Sequence, residues 1–270
     1  MQSDSTQLDV SASAGVTGGT AYSVYGEGPA VVLIHGVGME QAVWARQVSS
    51  LARTHQVIVY DMLGHGASQD PCEGVKLAEY AVQLKRLLDH LKIASAVIVG
   101  HSMGALVALE FSLSYPERTR QLVALNAVFM RTPAQREAVQ ERARKLQQVG
   151  VAATVDSTIE RWFGNPVPVE LQADAQVVAS FMRRVHHEGY ARSYQLFATS
   201  DAVHADGFAK LAMPALFMTG ELDPNSTPAM SEAMAGLAPQ ATLVVLEGAR
   251  HMMNITSAER VNQELLKFIG

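Results

Sequence analysis

The sequence predicts an α/β fold: a mostly parallel, doubly wound sheet with helices on both faces and a helical block inserted between two strands. Three observations carry this. Short runs of Val, Ile and Leu, bounded by Gly or Pro, alternate with amphipathic stretches of helical length. The runs are apolar without alternation, as expected of strands buried on both faces. The rhythm then stops between residues 128 and 210, where Ala, Gln, Glu and Arg dominate.

Taken in order, the Gly/Ser/Thr-rich residues 11–20 read as a frayed end, and "TAYSVYGEG" (20–28) reads as a half-buried strand and turn. "AVVLIHG" (30–36) is a buried strand between Pro29 and Gly36. Residues 39–55 carry helical spacing through Val43, Val48 and Leu51, and "QVIVYD" (56–61) is the next buried strand. A strong amphipathic helix covers 76–93, a strand 95–100, and a helix 103–115 that stops at Tyr115-Pro116. "RQLVALN" (120–126) is one more strand. Residues 128–210, with "PAQREAVQERARKLQQVG", read as several helices. Alternation resumes with a strand in 213–220, a helix near 227–238, a strand in 241–248 and a last helix near 256–269. The expected division is a core of 20–127 and 211–270 with a helical insertion of 128–210.

With 270 residues, 48% apolar and 17% charged, the chain can bury a large core. Its net charge of −5 and lack of a basic run favour neither nucleic acid nor an anionic membrane as partner. No stretch of eighteen apolar residues exists, and the polar opening "MQSDSTQLDVSASAG" lacks the apolar segment of a signal peptide. A cytoplasmic protein, monomer or homodimer, with a small-molecule substrate is the expectation. The one cysteine, Cys72, can form neither an internal disulfide nor a cysteine metal site.

The stretch that carries chemistry is "VIVGHSMGALVALEF" (97–111). It matches G-x-S-x-G, with a strand before and a helix after. Such a corner forces Ser102 to positive φ and frees its Oγ at the carboxyl end of the sheet. Side chains two residues to either side would collide, which accounts for Gly100 and Gly104. The helix points its N-terminus at the serine, so the Met103 N–H can donate to an oxyanion.

On this motif the sequence resembles the α/β-hydrolase fold superfamily, and in particular its capped serine hydrolases, from about residue 20 onward. "HGVG" (35–38) looks like the oxyanion loop of that family, which implies the Val37 N–H as second donor. "DMLGHGAS" (61–68) is similar to its Asp-x-x-Gly-x-Gly-x-Ser turn. "TGELDP" and "EGARHMMNITSAE" look like its acid and histidine loops, and the insertion matches its cap.

A serine hydroxyl needs an imidazole to take its proton, and the imidazole needs a carboxylate to hold its tautomer. Of nine histidines, His251 lies just beyond the last strand and before the last helix, where reactive groups of an open α/β sheet gather. His55 and His90 read as surface residues; His186, His187 and His204 fall in or near the insertion. For the acid, Asp223 follows the strand in 213–220, with Glu221 as its nearest rival. Some members of the fold carry the acid after the preceding strand, but there this chain has Asn126. The order Ser102, Asp223, His251 agrees with Ser…Asp…His. His35 is expected to orient the oxyanion loop, or to touch substrate, and Asp61 to anchor its turn.

These residues predict two-step acyl transfer to water, with no metal or organic cofactor implied. A serine nucleophile argues against the haloalkane dehalogenases and epoxide hydrolases of the fold. Within the insertion, "ERWFGNP" and "HHEGYARSYQLFATSD" resemble the cap of 3-oxoadipate enol-lactone hydrolases and, more loosely, of hydrolases that split ring-fission products at a carbon–carbon bond. Both handle small carboxylates. Arg131, Arg161, Arg183, Arg184 and Arg192 are candidate partners for such a group. Trp162 reads first as a cap core residue and second as a candidate substrate wall. The expected activity is hydrolysis of a small carboxylate-bearing ester or enol-lactone. Carbon–carbon bond hydrolysis, or a ligand receptor that retains the triad, are the alternatives.

Overall fold

The computed structural model of the protein describes residues 12–270. Most of the polar opening read as free of a leader, and residue 11 of the tract 11–20, lie outside this range. An eight-stranded sheet forms the centre. Its strands are β1 (Ala12–Thr17), β2 (Thr20–Tyr25), β3 (Ala30–Ile34), β4 (Gln56–Tyr60), β5 (Ala96–His101), β6 (Thr119–Leu125), β7 (Ala215–Gly220) and β8 (Ala241–Leu246). Their spatial order is β1-β2-β4-β3-β5-β6-β7-β8, antiparallel through the first two pairings and parallel thereafter.

The central strands are those whose sequence is continuously apolar. Every residue of β3, β5 and β7 is buried. The edge strand β8 is partly exposed instead. One strand was not expected: β1 replaces the predicted frayed end. Gly18 and Gly19, with φ of 52° and 78°, form the two-residue turn that sets Thr17 against Thr20. Positive φ at both central residues suits the twist of a hairpin, and two glycines supply it without steric cost.

Helices cover the sheet: α1 (Ala45–Leu51), α2 (Leu77–His90), α3 (Met103–Ser114), α8 (Pro228–Leu237), the short α9 (Met253–Thr256) and α10 (Ala258–Ile269). The predicted helix of 39–55 is shorter than expected, a 3-10 turn at Gln41–Trp44 followed by α1. In α2 the buried positions Leu77, Tyr80, Ala81, Leu84, Leu87 and Leu88 form one stripe, as helical periodicity requires. By contrast α3 is buried on nearly every side along Met103–Leu109 and packs on α2, β5 and β6, which fixes the serine at its N-terminus in a rigid setting.

Between β6 and β7 lie α4 (Pro133–Val149), α5 (Val155–Phe163), α6 (Gln172–Arg184) and α7 (His187–Thr199), with no strand among them. They sit over the loops that follow the parallel strands. Tyr80 Oη and Ser193 Oγ lie 2.8 Å apart, Ser193 Oγ donates to Leu63 O, and Arg46 pairs with Asp174 at 2.7 Å. Gly64 is packed so closely on Gly189 that a Cβ there would come within 2.6 Å of the Gly189 carbonyl oxygen. Among the described residues no helix is long and apolar enough to cross a membrane.

Candidate active site

The turn from β5 into α3 explains the placement of Ser102. Its backbone has φ 55° and ψ −115°, a region costly to a side chain and held only where the surroundings enforce it. Here they do. Ser102 N–H donates to Leu125 O, and a Cβ on Gly100 would lie 2.0 Å from the Gly104 carbonyl oxygen. A Cβ on Gly104 would lie 2.2 Å from Ile34 O, so α3 can approach β3 only with glycine at that position.

His251 and Asp223 come from the loops after β8 and β7. Gly220 lets these loops touch, since a Cβ there would meet Ala249 O at 2.4 Å. His251 Nδ1 and Asp223 Oδ2 are 2.8 Å apart, and both residues are buried. Asp223 Oδ2 also accepts from Asn126 Nδ2, and its Oδ1 accepts from Asn225 N–H, each at 2.8 Å. Burial pushes the Asp223 carboxyl up, but the facing His251 and these two donors outweigh it and hold the group below its ordinary value. An ionised Asp223 fixes the His251 proton on Nδ1 and leaves Nε2 as the basic atom. The rival Glu221 is exposed and accepts from Gly248 N–H at 2.8 Å, away from the imidazole.

Three further histidines build the floor, all buried and all kept neutral. His35 Nε2 accepts from Met62 N–H, so its Nδ1–H donates to Gly36 O at 2.8 Å. His65 Nε2 accepts from Gly38 N–H at 3.0 Å, and its Nδ1–H donates to Leu63 O. Together they brace the loop 36–38 from below. His101 Nε2–H donates to the carbonyl of His251. Burial lowers His35 to about 4 and His65 and His101 each to about 3. His35, a candidate for substrate contact, is fully enclosed and ties the loop 36–38 to the backbone at Met62 instead. Asp61 anchors its turn, accepting from Gln41 N–H and Ala67 N–H. Among the described residues the N–H groups of Val37 and Met103 have no acceptor. Gly36 packs against Ser102, where a Cβ would come within 3.2 Å of the serine Cβ.

Above this floor is a cavity of about 140 Å³. Ser102, His251 and Val37 line its base; Trp162, Tyr194, Phe197 and three arginines line its roof. The Trp162 and His251 ring centroids are 5.2 Å apart with planes tilted by 34°. Trp162 is therefore both a packed residue and a wall of the cavity. The arginines differ. Arg131 is neutralised by buried Asp201 at 3.3 Å and held by the carbonyls of Phe197 and Ala198. Arg161 has no carboxylate partner among the described residues; it donates only to Thr158 Oγ1, and its Nε is buried without an acceptor. Arg142 donates to Tyr194 Oη at 3.3 Å and likewise has no carboxylate partner among the described residues.

The other expected arginines lie elsewhere. Arg183 reaches Asp156, Arg184 pairs with Glu40 at 2.8 Å, and Arg192 binds Pro71 O and Glu188. Each is satisfied on the surface of the insertion, which removes it from the cavity. Arg142, Tyr194, His65 and the supporting Asn126 were not among the sequence candidates.

Residues 29–258 match the family model described as alpha/beta hydrolase fold. The chain is 36% identical over 249 residues to an (E)-2-((N-methylformamido)methylene)succinate hydrolase of Acinetobacter baylyi, covering 90% of this chain and 91% of that protein. Among solved structures, the enol-lactonase from Burkholderia xenovorans LB400 superposes with a TM-score of 0.87 at 26% identity, covering 95% of this chain and 99% of that one. A thermophilic esterase from Thermogutta terrifontis, solved with malate bound, superposes with a TM-score of 0.85 at 26% identity, covering 93% of this chain and 92% of that one.

Proposed function

The chain belongs to the alpha/beta hydrolase fold family and is a hydrolase, and from that premise we propose that it cleaves a small carboxylate-bearing ester or enol-lactone through an acyl-enzyme on Ser102. The observation that carries this reading is the convergence, on one small cavity, of Ser102, the Asp223–His251 pair and two arginines without carboxylate partners among the described residues.

In the proposed mechanism His251 Nε2 takes the Ser102 proton as Oγ attacks the carbonyl carbon. The Val37 and Met103 N–H groups receive the oxyanion, aided by the positive end of α3. His251 then protonates the leaving oxygen. Water, deprotonated by the same nitrogen, attacks the acyl carbon and regenerates the serine. Asp223 stays ionised throughout and stabilises the imidazolium. Trp162, against the His251 ring, restricts its movement and keeps water from that side.

Arg142 and Arg161 are proposed to hold the substrate carboxylate. Their guanidinium groups are partly desolvated and lack a carboxylate partner among the described residues, so an anion entering the cavity supplies what the fold does not. Two similarities support this choice: a relative named for a substituted succinate, and a structural neighbour that bound malate. The protein is expected to work without a cofactor and in the cytoplasm.

The test compares 4-nitrophenyl hemisuccinate with its neutral methyl-ester twin. The native protein is expected to favour the acid in kcat/KM by roughly ten- to a hundred-fold, the effect of one charge-assisted contact. Arg161→Ala and Arg142→Ala should each shrink that ratio while Arg183→Ala leaves it alone. A native preference for the neutral twin, unaltered in all three variants, would remove the acidic substrate.

A further inference from the structure

We propose that a second chamber, between α4 and α5 on the far side of Arg142 and Arg161, is an anion subsite for the distal carboxylate of a linear dicarboxylate substrate. The word substrate rests on the hydrolase reading above; the anion site stands on its own geometry. The chamber has a volume of about 210 Å³ and shares Arg142, Arg161 and Tyr194 with the cavity over Ser102, so the two spaces adjoin across one cationic wall.

Its lining has one sign. Lys145 joins the two arginines, Thr158 adds a hydroxyl donor while Ser157 Oγ donates to Thr154 O, and no Asp or Glu lines it among the described residues. The acidic side chains of the two helices are engaged elsewhere. Glu137 and Glu141 hold Arg144, Asp156 faces Arg183, and Glu160 accepts from Asn165. None of Arg142, Lys145 and Arg161 is paired with a carboxylate among the described residues. Cations in a low-dielectric recess repel one another unless an anion joins them, so the arrangement is selective for negative charge.

Exposure is graded along the chamber. Lys145 and Ser157 are exposed at its mouth, whereas Thr158 and Tyr194 are buried at its inner end. The inner cavity, about 140 Å³, is smaller than the ~300–1,000 Å³ of ordinary ligand sites. A substrate with one carboxylate at the arginines and a chain running outward would use both spaces, with its far carboxylate near Lys145.

Calorimetric titration of the full chain at low ionic strength with adipate, and with hexanoate as the monoanion of equal length, tests this. The native protein is expected to bind adipate about tenfold more tightly than hexanoate, the size of one charge-assisted contact at a partly exposed site. Lys145→Glu should abolish the difference, Lys145→Ala should reduce it, and Lys267→Glu, an equal charge change on α10, should leave it intact. Equal affinity of the two acids for the native protein, no detectable adipate binding, or a difference that survives Lys145→Glu would each overturn the proposal. The titration involves no turnover, so failure of the serine-hydrolase reading would appear in kinetics and labelling and not here.

Discussion

That Ser102, His251 and Asp223 lie together was readable because the chemistry proposed for them is tied to position: a serine at a Gly-flanked corner, an acid and a histidine just beyond two strands. Arg142 was not, yet the sequence holds a trace of it. On a helix, acidic residues three or four positions away supply the usual partners of arginine. Arg144 has Glu141, and Arg192 has Glu188; Arg142 and Arg161 have none at those spacings. Arg183 lacks them too and finds Asp156 in space, which only the fold reveals. The neutral histidines also make a prediction at this scale. His35, His65 and His101 are held at about 4, 3 and 3, against an unfolded value near 6.5. Between those limits the unfolded chain binds more protons than the folded one. Their neutral burial therefore costs nothing above pH ~6.5, and stability falls as pH drops below it, by up to about 1.4 kcal/mol per pH unit for each group. The thermal midpoint should decline steeply from pH 6.5 to pH 4; a flat profile across that interval would contradict the assignment. Asp223→Asn should keep the fold and lower kcat roughly 10⁴-fold by permitting the wrong imidazole tautomer, as steady-state kinetics would show. Near-native activity in that variant would deny Asp223 its role.

Among the elements, the buried parallel strands and α2 declared themselves because burial leaves a mark in the sequence, a continuous apolar run in the strands and a helical stripe in α2. β1 did not. It is built of small residues with a single valine, and the pairing that makes it a strand lies across the Gly18-Gly19 turn and not within its own residues. The turn at Ser102 is the element on which the site depends, and Gly104 is its sharpest test. On helix propensity alone Gly104→Ala should stabilise α3 by about 1 kcal/mol. The new Cβ, however, would lie 2.2 Å from Ile34 O and 2.5 Å from His35 O, both backbone atoms that cannot swing away. Overpacking of that kind costs about 1–3 kcal/mol or more, so the steric effect should win. Urea unfolding should give a lower midpoint for the variant, together with weakened activity because the shift passes through the oxyanion loop. An unchanged or raised midpoint would mean that α3 and β3 are not locked as described.

At the scale of the molecule, the sheet supplies a rigid floor and the inserted helices supply the roof. The floor holds the groups proposed for chemistry, and the roof holds those proposed for specificity, so the two should separate in experiment. The strand-free stretch between β6 and β7 was legible as a break in strand–helix alternation. Which of its arginines face inward was not, because facing depends on how four helices settle on the loops after β3, β4 and β8. The central claim is that Ser102 is the nucleophile that carries the acyl group. Its most direct test is reaction of the native protein with a serine-directed fluorophosphonate, followed by intact mass and peptide mapping. The account predicts a single adduct on Ser102, formed quickly in the native protein and absent in Ser102→Ala. An adduct on another residue, or no adduct from a folded protein, would contradict it.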